Sequence, residues 1–188
     1  MSSPDLTAKR HYTVDDYTSW NDGQRYELLH GDVHAMTPAP SWLHQVVSAN
    51  LGFEIQARLR SIKKCHLVHA PIDVYLLNDT VIQPDIIVVC DPNKIEKKGC
   101  VGAPDLVVEI LSPFTEKTDW QDKYALYEAA GVREYWIVNP EDTLVHVFRL
   151  TEGKFYLENT YSLENTVQIG IFDDVVIDLK NVFENGRD

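Results

Sequence analysis

The chain has 188 residues, 44% hydrophobic and 24% charged, which is ordinary globular usage and excludes a disordered polar tract. Twenty-nine acidic residues against 17 basic ones leave a net charge of −12, so a uniformly basic nucleic-acid-binding surface is excluded. The longest apolar runs are far short of the ~20 residues that span a bilayer, so no membrane partner is expected.

In chain order, Thr13 followed by Asp16 predicts a helix start and Gly23 its stop. Arg25–His30 and Val33–Thr37 predict a hairpin turning at Gly31 and Asp32. Pro38 and Pro40 break the chain and Ser41 predicts an N-cap. From Trp42 to Arg60, Leu43, Val46, Val47, Leu51, Ile55 and Leu59 keep helical spacing. A strand over about 65–77, kinked at Pro71, and a second at Asp85–Cys90 come next, then a loop over 91–103. Asp105–Leu111 predicts a strand, Thr118–Ala130 a helix stopped by Gly131, and Val132–Val138 a strand. Further strands turn at Asn139–Asp142 and at Glu152–Gly153. Asp85–Cys90 and Asp105–Leu111 are apolar on both faces, as central strands covered by helices are.

Cys65, Cys90 and Cys100 are odd in number and lack C-x-x-C spacing, which predicts neither a disulfide framework nor a zinc knuckle. Met1–Arg10 is polar, with no secretory h-region. A reducing, cytoplasmic setting is the expectation.

Five residues at four places stand out from the local pattern. Glu109 lies inside a buried strand on the face of Val107 and Leu111, where a carboxylate needs a partner or a metal. A structural Glu–Lys or Glu–Arg pair is the plain alternative. Lys123 and Asp119 fall inside the apolar arc of Trp120, Tyr124, Leu126, Tyr127 and Ala130, so both are expected to face inward. Asp85 opens the strand before Cys90 and can neighbour Glu109. Two carboxylates ~5 Å apart repel by roughly 3 kcal/mol at an effective dielectric of 20, so such a pair calls for a shared proton or a cation. Oxygens for Mg²⁺ or Mn²⁺ beside an ammonium make a hard-metal site. Glu27, on the hairpin, alternates away from Tyr26 and Leu28; alone, it reads as a surface residue.

The segments RYELLHGDVHAM, SWLHQ, QPDIIVV, GAPDLVVEILSP and TDWQDKYALYEAAGVREYWIVNP together resemble the Uma-type restriction endonuclease family, a branch of the PD-(D/E)XK nuclease superfamily. The resemblance implies an α/β fold with a restriction-endonuclease-like α-β-β-β-α-β core, a mixed sheet flanked by helices, plus N- and C-terminal β-hairpins. The length predicts one domain over 1–188, with a core of about 24–156 and an acidic β-rich extension over 157–188. The resemblance further implies Asp85 and Glu109 as metal-holding acids, with Glu27 completing the cluster. Leu111 stands where the superfamily's E-x-K lysine would be, and Lys123 takes that place from the following helix. His44, Gln83 and Asp119 are candidates for supporting positions. Asp105, only four residues before Glu109, reads as strand-start structure.

The implied activity is Mg²⁺- or Mn²⁺-dependent hydrolysis of DNA phosphodiester bonds by a homodimer. The alternative is a non-catalytic module that keeps the fold for binding or assembly. Arg58, Arg60, Lys63 and Lys64, and separately Lys94, Lys97 and Lys98, are candidate phosphate-contact patches, from which weak, salt-sensitive binding is expected. His30, His34, His66 and His69 have no metal-ligand spacing.

Overall fold

The structure, a computed structural model, describes residues 3–6, 10–36, 39–62, 64–113 and 116–184. Thr37, Pro38 and Lys63, which the sequence reading used for a strand end, a chain break and a basic patch, lie outside them.

Helix α1, Val14–Ser19, starts on the Thr13/Asp16 capping box and ends before Gly23, which sits in a turn at φ 78°. Strands β1 (Tyr26–Leu29) and β2 (Asp32–Ala35) form the expected hairpin. Helix α2, Trp42–Ile62, begins where the Ser41 hydroxyl accepts the His44 amide. Then come β3 (His66–His69), β4 (Val74–Leu77), β5 (Thr80–Ile82) and β6 (Ile86–Val89). The expected loop over 91–103 instead holds a 3₁₀ turn at Pro92–Lys94 and two short strands, β7 (Ile95–Glu96) and β8 (Gly99–Val101). Strand β9 is Leu106–Ile110. Helix α3 runs as α-helix Glu116–Thr118, π-helix Asp119–Lys123 and α-helix Tyr124–Ala130, and Gly131 closes it in the left-handed conformation. Strands β10 (Glu134–Asn139), β11 (Leu144–Thr151), β12 (Lys154–Ser162), β13 (Thr166–Gln168) and β14 (Val176–Asp178) follow, then α4 (Leu179–Phe183).

Among the described residues the strands form two six-stranded sheets and a separate antiparallel β13–β14 pair. The main sheet is ordered β12-β11-β10-β9-β6-β3 and is antiparallel except for the β9/β10 pair. Taking α2, β3, β6, β9, α3 and β10 in sequence gives α-β-β-β-α-β, as expected. The second sheet, β2-β1-β5-β4-β8-β7, is assembled from the N-terminal hairpin and two insertions in that core. The single kinked strand expected over 65–77 is therefore two strands, β3 and β4, in different sheets. The chain crosses between them around the cis Ala70–Pro71 bond.

Helix α2 packs Val47, Leu51, Ile55 and Leu59 on one face of the main sheet, against Ile86, Val88, Leu106 and Val108. Val167, Ile169, Ile177, Val182 and Phe183 join the same core, so the C-terminal segment packs under α2. Glu134, fully buried on β10, ties it in by accepting the Trp136 indole N–H (2.7 Å) and the Ile171 amide (3.0 Å). The opposite face, Ile87, Val89, Val107, Tyr135 and Ile137, is covered by α3 and the second sheet. Helix α1 packs on that second sheet around Leu28, Tyr75 and Val81. Among the described residues no helix is long and apolar enough to cross a membrane.

The cysteine expectation is corrected. Cys65 and Cys90 form a disulfide, while Cys100 is free and buried. The antiparallel register pairs His66 with Val89, and one further step sets Cys65 opposite Cys90. Spacing along the chain does not reveal that meeting.

Candidate active site

The site lies at the seam of the two sheets. Strands β6 and β9 pair Ile86 with Val108, and one step further sets Asp85 opposite Glu109 on the same face. Asp85 Oδ2 accepts the Ile110 amide at 2.8 Å and lies 3.2 Å from His44 Nε2, from the first turn of α2. Glu27 comes from the second sheet. Its Oε1 accepts the Gln83 amide at 2.8 Å. The Gln83 side chain donates to Asp73 Oδ1 at 2.8 Å and accepts from Arg25. Asp73 also accepts the hydroxyls of Tyr17 and Tyr75, so the support of Glu27 reaches through to α1.

Helix α3 supplies the cation. Lys123 Nζ stands 2.9 Å from Glu109 Oε1 and 3.2 Å from Asp119 Oδ1. These three residues are 6%, 3% and 1% exposed respectively, so the ion pairs are screened little by water. Asp119 and Lys123 bound the π-helical segment, a deformation found mostly as single turns at functional positions. From β10, the Tyr135 hydroxyl donates to the Asp119 carbonyl at 3.1 Å and supports that segment.

Burial pushes the Glu109 carboxyl up to about 8; Asp119 and Asp85 add to this, while Lys123 and the Tyr127 hydroxyl oppose it. Burial pulls Lys123 down, but Glu109, Glu27 and Asp119 outweigh it and hold the ammonium well above its ordinary value. Lys123 therefore keeps its proton, and Glu109 is the carboxyl whose burial favours the neutral form. For His44, burial lowers the imidazole but Asp85 more than compensates, so the net shift is upward. His44 Nδ1 is buried without a hydrogen-bond partner among the described residues.

Glu27, His44, Gln83, Asp85, Glu109 and Lys123 all line one cavity of about 1030 Å³. Asp119 is buried behind Lys123, where it contacts the ammonium. Tyr127 is the residue that sequence reasoning missed as a site residue. Its hydroxyl donates to Glu109 Oε1 at 2.6 Å, and its place on the Lys123 arc, one turn on, was the available signal. Asp105 does serve structure: it accepts the Cys90 amide (2.8 Å) and pairs with Arg133 (3.1 Å).

The family described as Uma2, "putative restriction endonuclease", matches residues 14–179. The chain belongs to the Uma2 family. The match spans α1 through the start of α4 and includes each residue placed at the cavity. The Synechocystis protein slr1290 is 25% identical over 159 residues, covering 82% of this chain and 83% of its own. The crystal structure of "a putative nuclease belonging to DUF820" from Anabaena variabilis superposes with a TM-score of 0.73 at 19% identity. That alignment covers 92% of this chain and 98% of the other, and shows that the two share a fold.

The donors of this Uma2 chain suit a hard divalent cation. Glu27, Asp85 and Glu109 offer carboxylate oxygens to one cavity, and at the buried Glu109 the repulsion from Asp85 and Asp119 is costly without a counter-charge. Among the described residues, no three His, Cys, Asp or Glu side chains stand together as a ready ligand set. Mg²⁺ does not require one, since it commonly takes one or two carboxylates and fills its remaining positions with water and substrate phosphate.

Proposed function

We propose that this protein is a metal-dependent endonuclease that hydrolyses DNA phosphodiester bonds at the Asp85–Glu109–Lys123 site. The observation that carries the reading is the convergence of two opposed carboxylates and a buried ammonium, from three different elements, on one open cavity. A buried Lys bridging two acids is an expensive arrangement for a core with no chemical duty. The family description and the nuclease named in the related crystal structure support the same reaction class.

In this reading Asp85 and Glu109, with Glu27, would hold Mg²⁺ or Mn²⁺. Such an ion polarises a phosphoryl oxygen and acidifies a bound water. The chain's own residues do the positioning. The Ile110 amide and His44 fix Asp85, while Tyr127 and Lys123 fix Glu109. The Lys123 ammonium faces the cavity, where it offsets charge on the phosphate as water attacks phosphorus and the bond to the leaving sugar oxygen breaks.

The test is cleavage of plasmid and single-stranded DNA in Mg²⁺ or Mn²⁺, with Glu109→Ala expected to abolish it. Cleavage undiminished in that variant would sink the assignment. A second reading, a binding module without catalysis, draws on the closed Glu109–Lys123–Tyr127 cluster. It predicts no Mn²⁺-induced rise in thermal midpoint, whereas the nuclease reading predicts one.

A further inference from the structure

A second groove, about 500 Å³, runs beside α2 and shares Gln45, Ala70 and Asp85 with the carboxylate cavity. Two of its features, and a third on the same face of α2 outside it, are costly to a protein that leaves the groove empty. Phe53 lines it with its side chain 70% exposed. Trp42 is 80% exposed on the same arc of α2, eleven residues and ~16 Å earlier at 1.5 Å rise per residue. Gly52, in the helix interior, is the place where the His69 ring lies against α2: a Cβ there would stand 2.2 Å from the ring. Glycine weakens a helix interior, and here it permits the close approach that brings His69 to the groove, its Nδ1 3.4 Å from the Ser48 hydroxyl.

Among the described residues the lining has no Lys or Arg, so it is not built for phosphate. It offers instead a flat exposed ring and the amides of Gln45 and Gln56, which both donate and accept. That is the chemistry of a nucleobase, which every aromatic face can stack and every amide can meet at an edge. The groove is continuous with the carboxylate cavity at Asp85, so a strand with a phosphate at that cavity brings its neighbouring base here.

We propose that this groove receives an unpaired base of the substrate strand next to the scissile phosphate, stacked on Phe53 and contacted by Gln56, while Gln45 lines the end of the groove nearer Asp85. The inference rests on the nuclease reading and narrows its substrate to DNA with an unpaired base at the cut. A base held inside a duplex has its faces covered by its neighbours and cannot stack on Phe53.

The test compares an oligothymidylate with a fully abasic strand of the same length, which keeps every phosphate and loses every base. Binding is read by fluorescence anisotropy in Ca²⁺, and cleavage of the same strands in Mn²⁺. Phe53→Ala should weaken the base-bearing strand about 5- to 150-fold, the range that loss of one stacked base produces, and leave the abasic strand unchanged. Phe53→Trp should restore binding. Because Phe53 is mostly exposed, the thermal midpoint of both variants should match that of the unsubstituted protein. An equal loss on both strands, or no loss on either while Mn²⁺-dependent cleavage persists, overturns the groove and leaves hydrolysis standing. Base-dependent loss with no cleavage in any divalent ion keeps the groove and overturns hydrolysis.

Discussion

Lys123→Met tests whether the inward ammonium is what lets Glu109 and Asp119 share the interior. Methionine keeps most of the side chain's length, so the chief loss is charge. Lys123 contacts Glu109 Oε1 at 2.9 Å and Asp119 Oδ1 at 3.2 Å, in surroundings almost closed to water. Removing one partner from a buried ion pair costs about 3–5 kcal/mol, because the other charges stay buried without compensation. With an unfolding entropy of ~2.1 cal/mol/K per residue over 188 residues, that loss lowers the thermal midpoint by about 8–13 °C. The pH dependence has a definite sign. A carboxyl raised by folding from 4.5 to about 8 stabilises fully below its unfolded value and loses that contribution as pH rises toward its folded one. Lys123 opposes that rise, so its removal should enlarge the penalty more at pH 9 than at pH 6. Adding Glu109→Gln to Lys123→Met should recover about 1–3 kcal/mol, the coupling expected of groups in one network. The assay is urea and thermal denaturation in EDTA at both pH values. A loss below about 1 kcal/mol, or one independent of pH, would refute the idea that the ammonium compensates these acids.

Four other outcomes follow from the same geometry. Mn²⁺ binding should strengthen as pH rises toward about 8 and should release a proton as Glu109 ionises; calorimetry in buffers of different ionisation enthalpy measures that release. Tyr127→Phe keeps the packed ring and deletes one bond to Glu109, so it should cost about 1–3 kcal/mol and raise the Glu109 carboxyl further. Cys65→Ser with Cys90→Ser removes a link across a sequence separation of 25 and should cost about 3 kcal/mol; a midpoint insensitive to reductant in the unsubstituted protein would contradict this. Single-strand affinity should fall only shallowly with salt, with a log–log slope of about −1 to −2, equivalent to two or three phosphates at ~0.7 each; a slope near −5 would show a cationic track.

The α-β-β-β-α-β order was legible because β6 and β9 are apolar on both faces and α2 keeps a clean helical stripe. Asp85, Glu109 and Lys123 were legible for the opposite reason, as charges where the pattern allows none. The second sheet was not. Strands β5, β7 and β8 have two or three residues each, too few for alternation to register, and β4 pairs in parallel with β8 across an intervening excursion into the main sheet. The Cys65–Cys90 link depended on a register between strands 25 residues apart, which composition does not encode. The π segment left no mark, since residues four apart share a face whether the turn is α or slightly wider. Tyr127 read as core because a tyrosine on a buried arc packs its ring whether or not its hydroxyl has work.

The basic patches that the sequence sets against the net acidity are partly engaged within the fold. Several of the cations proposed to grip phosphate already have internal partners: Arg58 pairs with Glu54 at 2.6 Å, and Lys94 donates to the Ala103 carbonyl at 2.7 Å. Lys98 lies over the Tyr75 ring, 4.6 Å from its centroid, and near Glu96. Basic residues elsewhere are paired too, Lys154 with Glu128 and Lys180 with Glu164. These engaged cations add little affinity through counterion release, which leaves exposed Arg60, Lys64 and Lys97 of the two patches. The site offers two other means of holding a strand. A divalent ion among Glu27, Asp85 and Glu109 would turn repulsion of phosphate into attraction at one point. The uncharged groove beside Asp85 would hold a base where charge contributes nothing. The two meet at Asp85, which is opposed to Glu109 on one side and borders the Phe53 groove on the other. An acidic chain is compatible with a nucleic-acid substrate on these terms, provided that binding depends on the ion and on the base rather than on the length of the phosphate backbone.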